Sequence, residues 1–165
     1  MDFSSTFLNF SPALATFLLA LLPLTELRAA IPIGIFVYHL SPISAFFFAV
    51  AGNLLAAYLV LMLIDPVAKY LKIKFKIVNS VLDWWFNRVF NQFVAKYQKY
   101  GPLALVIFVA IPLPATGAWT GAIAAWLFKI NSRLAILYIG LGVMIAGLIV
   151  TLISTGVLKS LSFLI

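Results

Sequence analysis

Two apolar runs without a single charge, residues 43–64 and 134–158, limit what this chain can become. A helix needs about 20 apolar residues to cross the hydrocarbon core of a bilayer, and both runs satisfy that. The rest of the chain agrees. Hydrophobic residues make up 65% and charged residues 9%, against roughly 45–50% and 25% in soluble domains. A single domain of 165 residues could not hide that much apolar surface from water. Composition therefore excludes a soluble enzyme, a disordered chain and a nucleic-acid-binding domain. The absence of cysteine removes disulfides, thiol catalysis and cysteine metal sites, and one histidine, His39, cannot build a histidine-rich site. No cofactor and no metal are expected. Residues 1–20 carry Asp2 and no Lys or Arg, unlike the basic start of a signal peptide, and are expected to be mature structure.

Two further apolar stretches are broken. Residues 13–22 stop at Pro23, and after Leu24, Thr25, Glu26, Leu27 and Arg28 a second run covers 29–40, with Pro32 and Gly34 inside it. Residues 103–111 stop at Pro112-Leu113-Pro114, and the run resumes over 115–128. Proline removes a backbone donor and disturbs the preceding turn, and each arm is too short to cross. Two re-entrant hairpins are expected, each dipping to mid-membrane and returning to its own face. Backbone of that kind is tolerated only beside protein or a wet cavity. The alternative is two kinked crossing helices.

Charge placement separates these readings. Of the net +7, Lys69, Lys72, Lys74, Lys76, Arg88, Lys96 and Lys99 lie within 65–100, and Lys129 and Arg133 follow the second broken stretch. If that stretch re-enters, all nine share one face, which the positive-inside rule makes cytoplasmic. Both termini then lie outside. The expected organisation is one membrane domain over 1–165, with repeat 1 at 11–64, a linker at 65–100 and repeat 2 at 101–158. Pro23-Leu24 lies over Pro112-Leu113, Gly52 over Gly142 and Ala56 over Ala146. One full crossing per repeat forces the second repeat to enter from the opposite face, so the repeats are inverted, an arrangement found in transporters. In the linker, Leu71 to Ile77 alternates like a strand, but a lone strand has no partner. From Val78 the pattern is helical: Val78, Val81, Leu82, Trp85, Val89, Phe93 and Tyr97 form a stripe, with Asp83, Asn87, Asn91 and Lys99 largely away from it. This is an amphipathic helix for the interface, where its lysines meet anionic lipid. The fold class is all-α integral membrane.

Glu26 and Arg28 are the only charges inside any of these intramembrane segments. A charge at the bilayer centre costs roughly 2.5–3.5 kcal/mol on insertion scales, so something must offset it. A mutual salt bridge is one answer, and it needs a non-helical tip, because helical residues two apart do not face each other. A functional site is the other. Thr25 is a candidate N-cap for the returning arm, and Thr116 or Pro114 could open the second one. A helix N-terminus attracts anions, so two such ends with Arg28 suit a phosphate. A carboxylate taken out of water holds a proton more readily, which suits Glu26 to proton coupling. Gly117 and Gly121 have the spacing of close helix contacts. Trp119 and Thr120 could line a cavity or pack.

The stretches Pro23-Leu24-Thr25-Glu26-Leu27-Arg28-Ala29-Ala30-Ile31-Pro32, Tyr100-Gly101-Pro102 and Ile111-Pro112-Leu113-Pro114-Ala115-Thr116-Gly117-Ala118-Trp119-Thr120-Gly121 resemble the prokaryotic small multidrug export protein family, which is similar to a minimal branch of the DedA superfamily. The resemblance implies a prokaryotic plasma-membrane location, facing re-entrant hairpins and a transporter or lipid-translocase role. DedA relatives are associated with proton-dependent transport and with moving polyprenyl-phosphate carriers or phospholipids. Their hairpin glutamate and embedded arginines are matched by Glu26 and Arg28, and Arg133 stands in for a further arginine. The second hairpin, 114–121, has no ionisable residue. A proton-coupled transporter or translocase of an anionic, phosphate-headgroup substrate is the first expectation. A small multidrug exporter is second and a non-transport scaffold third; an enzyme is not expected. Expected partners are membrane lipids, protons, the anionic lipid or small-molecule substrate and a second copy in a dimer, with no nucleic acid.

Overall fold

Where the chain can stop being helical decides the architecture. A computed structural model describes residues 11–74, 76–111 and 116–162, and every element there is helical. The order is α1 (Pro12–Leu21), α2 (Glu26–Phe36), α3 (Pro42–Lys74), α4 (Lys76–Tyr100), a 3-10 turn (Gly101–Leu103), α5 (Ala104–Ala110), α6 (Ala118–Leu127) and α7 (Ser132–Ser162). The chain divides into two compact units. One comprises residues up to Ala56 with those from Val143 onward, the other Ala57–Gly142.

In the first unit, Ser11 starts α1: its Oγ accepts the Leu14 N–H at 3.3 Å, and Pro12 follows at the first helical position. Proline is suited to that place, where its missing donor would be unpaired anyway. The helix ends at Leu22, which is extended at ψ 140 because the ring of Pro23 excludes α geometry from the residue before it. α2 packs back on α1. Gly34 makes the approach possible, since a Cβ there would lie 2.9 Å from Thr16 Oγ1. α3 comes as close, with Gly52 against the Phe17 carbonyl and the Ala20 side chain. The later part of α7 lies on α3 through Gly147, which faces Phe46 and Val50.

The second unit uses the same construction. Ile111 ends α5 in extended geometry at ψ 115, again before a proline. α6 packs on α5 through Gly121, whose missing Cβ leaves room for Val109. Gly142 of α7 meets Val109 and the Val106 carbonyl, as Gly52 meets the Phe17 carbonyl. A Schellman-type end closes α6: Ile130 N–H donates to Ala125 and Lys129 N–H to Trp126, with Lys129 at φ 52. In the first unit His39 takes a matching left-handed geometry at φ 54 beyond α2. Buried positions along the long helices recur in register. Ala45, Ala49, Gly52, Asn53, Ala56 and Val60 in α3 correspond to Ala135, Ile139, Gly142, Val143, Ala146 and Val150 in α7. Small residues turn inward while Phe47, Met62, Leu152 and Ile153 are exposed, the pattern of helices solvated by lipid. α3 and α7 are the two described helices long and apolar enough to cross a membrane.

Several expected boundaries move. Asp65-Pro66 does not stop the first long helix, which runs on to Lys74 with Pro66 inside it. Asp65 instead braces the next turn, accepting from Lys69 Nζ at 2.7 Å. The strand-like alternation is absorbed into α3 and α4, apart from residue 75, which lies outside the described residues. α4 buries Phe86, Val89 and Phe93, while Val81 is exposed, so the packed stripe is rotated from the one read in the sequence. Aromatic contacts explain the rotation: Phe86 meets Trp126, and Phe93 meets Phe108 and Phe128.

Two of the buried glycines of the long helices, Gly52 and Gly142, make a stability test. Gly52→Ala and Gly142→Ala each force a methyl into backbone, and overpacking of this kind costs about 1–3 kcal/mol. Gly156→Ala meets open space. We expect thermal unfolding in detergent to show a lowered midpoint for the first two variants and none for the third.

Candidate substrate and proton-coupling site

At the first hairpin tip, four residues between α1 and α2 reverse the chain, and their polar groups are held by the incoming arm. Thr25 occupies the N-cap position of α2 but makes no side-chain cap bond. Its hydroxyl donates to the Leu19 carbonyl of α1. The expected cap is therefore a clasp: Thr25 adds a second donor to a carbonyl near the end of α1, which also accepts the Leu22 N–H at 3.2 Å, and caps no donor at the start of α2. Glu26 N–H donates to the Leu22 carbonyl at 3.0 Å. These bonds place Glu26 at φ 44, a left-handed geometry that costs a non-glycine residue roughly 1–2 kcal/mol. The carboxylate residue is buried, with 7% of its surface exposed.

Two residues on, Arg28 is half-buried and lies in the electrostatic field of Glu26. Glu26, the first residue of α2, departs from regular helical φ. Asn53 is a further buried polar group of this unit. It is buried within α3, and its Oδ1 has no hydrogen-bond partner.

At the second tip, Pro114 lies outside the described residues. Thr116 does not open the returning arm. The arm begins at Ala118 with Gly117 at its cap position, φ 154, a conformation reserved for glycine. Thr116 repeats the clasp of Thr25, donating its hydroxyl to the Ile111 carbonyl at 2.8 Å. Thr120 is buried and donates back to the Gly117 carbonyl. Gly121 N–H donates to the same carbonyl at 2.8 Å. Trp119 is half-buried in the first turn of α6. Arg133 is exposed near the start of α7, where its N–H donates to Asn131 Oδ1. The whole of α6 separates it from the tip, about 15 Å at 1.5 Å per residue. Thr116, Gly117 and Thr120 are brought together, and Arg133 is not with them.

The second unit also holds two clefts that the sequence did not reveal. One, of about 550 Å³, is lined by Asp65, Trp126, Lys129 and Asn131 among others. The other lies between α4 and the first turn of α6 and includes Thr120. Their residues are scattered over 61–132, and no local spacing announces them. Among the described residues no cluster of metal-ligating side chains occurs.

Against known proteins, residues 26–149 match the family model described as "Putative small multi-drug export protein". No curated protein and no solved structure matches the chain significantly.

The backbone at Glu26 can be tested directly. At positive φ, glycine is relaxed and alanine is not, so Glu26→Gly is expected to unfold about 1 kcal/mol later than Glu26→Ala. Calorimetry in detergent measures the difference. Elsewhere in a helix the order is the reverse.

Proposed function

The chain belongs to the small multi-drug export protein family, and from that premise we propose that it is a proton-coupled membrane transporter of a substrate with an anionic, phosphate-type headgroup. The observation that carries this reading is Glu26: a buried carboxylate held in left-handed backbone beside a half-buried arginine. Strain of this sort persists where the surrounding structure enforces it, and it clusters at functional sites. In the proposed topology both helix pairs re-enter, the repeats are inverted, and the pair Glu26 and Arg28 works at mid-membrane.

Arg28 then has two alternative partners. With Glu26 ionised, the guanidinium is balanced by the carboxylate. When Glu26 takes up a proton, Arg28 is released to a phosphate oxygen, which it binds through paired N–H donors. Proton and substrate therefore travel together, and no net charge is stranded in oil, where it costs most. The repeats also differ in polarity, which supports a site in the first. Glu26 follows the clasping Thr25 where Gly117 follows the clasping Thr116, and Asn53 of α3 corresponds to Val143 of α7.

A second reading, export of organic cations, is favoured by the cleft of Asp65 and Trp126. A carboxylate beside an indole is suited to a cation, and its pairing with exposed Lys69 is weak enough to exchange.

Reconstituted liposomes under a pH gradient test both. We expect Glu26→Gln to keep substrate binding and lose its pH dependence, and Arg28→Ala to lower uptake of a phosphate-headgroup substrate at least tenfold. Unchanged pH-dependent uptake in both variants defeats the first reading. Loss of cation-dye export in Asp65→Asn alone selects the second.

A further inference from the structure

The amphipathic helix α4 does more than lie at an interface. One side is locked: Phe86, Val89 and Phe93 are buried, and Phe93 packs on Phe108 and Phe128. A cleft of about 340 Å³ opens beside this side, lined by Trp84, Trp85, Arg88, Val89 and Gln92 from α4 and by Thr120 from α6. Its volume lies within the range of small-molecule sites.

Three features give this cleft a chemical preference. Arg88 is its single formal charge, and no carboxylate lines it. The guanidinium lies over the Trp84 ring, 5.7 Å from its centroid, which fixes its plane and leaves its edge donors available to an anion. Gln92 contributes a buried side-chain oxygen that has no hydrogen-bond partner. An orphaned buried acceptor is destabilising unless a donor reaches it. A ligand that suits the cleft therefore carries an anionic group for Arg88 and an O–H or N–H for Gln92. Trp84 and Trp85 supply the amphipathic rings that settle at the headgroup level of a membrane.

We propose that this cleft is a docking site for a phospholipid with an anionic glycerol-type headgroup, its phosphodiester on Arg88 and a headgroup hydroxyl donating to Gln92 Oε1. Phosphatidylglycerol has this combination. Phosphatidylcholine has the phosphate without a donor, and phosphatidylethanolamine has a donor without net negative charge. Val89 and Trp85 form the apolar wall against which the glycerol backbone lies. The site is separate from Glu26 and Arg28, so a lipid held here accompanies the protein whether or not it is transported.

The test is lipid occupancy of the full-length protein, delipidated in detergent, re-exposed to vesicles of each of these three lipids and analysed by native mass spectrometry. We expect phosphatidylglycerol to be retained at least tenfold better than phosphatidylcholine, with phosphatidylethanolamine between them. Arg88→Gln is expected to lose retention of phosphatidylglycerol about tenfold, and Arg88→Lys to restore part of it. Gln92→Leu removes the acceptor and is expected to abolish the preference for phosphatidylglycerol over phosphatidylcholine. Arg88 is exposed, and helical content by circular dichroism verifies that each variant is folded. Equal retention of the three lipids by the unaltered protein overturns the proposal, as does undiminished retention in folded Arg88→Gln. Displacement of the lipid by millimolar glycerol phosphate also overturns it, because the site then belongs to a soluble anion. Since Glu26→Gln leaves this cleft intact, failure of the transport reading and failure of the lipid site are read from different variants.

Discussion

Everything in this structure depends on how backbone is satisfied where two helices are broken by proline. In lipid an unpaired peptide group costs several kcal/mol, so a break cannot simply be left open. Leu22 and Ile111 are driven into extended geometry by the prolines after them. Thr25 and Thr116 then reach back and donate to carbonyls of the incoming arms. The same device at both tips turns each apolar stretch on itself, and the glycines Gly34 and Gly121 let the returning arms settle against the Thr16 and Val109 side chains.

The repeat is most visible in what packs, not in which letters match. Gly52 meets a carbonyl of α1, and Gly142 meets one of α5. His39 and Lys129 take left-handed φ where the returning arms end. In the proposed repeat organisation the two halves share these contacts, and Glu26 and Asn53 occur only in the first, which is the physical reason to look for function there. The second repeat spends its tip on Gly117, which relaxes the backbone that Glu26 strains.

Much of the architecture was legible because proline, glycine and charge act locally. Pro23 and Pro112 announced the breaks, and the charge-free runs announced the long helices. Asp65-Pro66 misled, since an internal proline in a long helix costs only a few kcal/mol and the Asp65 to Lys69 pair and packing carry the helix through. Thr25 was expected as a cap because its spacing suits one; that its hydroxyl would instead turn to the other arm depends on a tertiary approach that no spacing encodes. Glu26 and Arg28 stood out as charges within an apolar stretch, but the left-handed φ at Glu26 did not. The clefts around Asp65 and Arg88 are assembled from residues distant in sequence, and single residues such as Gln92 gave no signal.

The proposed topology has the helix pairs α1–α2 and α5–α6 entering the membrane and returning without crossing it. The natural chain contains no cysteine, so single cysteines placed at Ser11, Ser41, Gly101 and Asn131 can be labelled with an impermeant maleimide in oriented membranes. The account predicts that Ser11→Cys and Ser41→Cys react from one side, and Gly101→Cys and Asn131→Cys from the other. Reaction of Ser11→Cys and Ser41→Cys from opposite sides would contradict it.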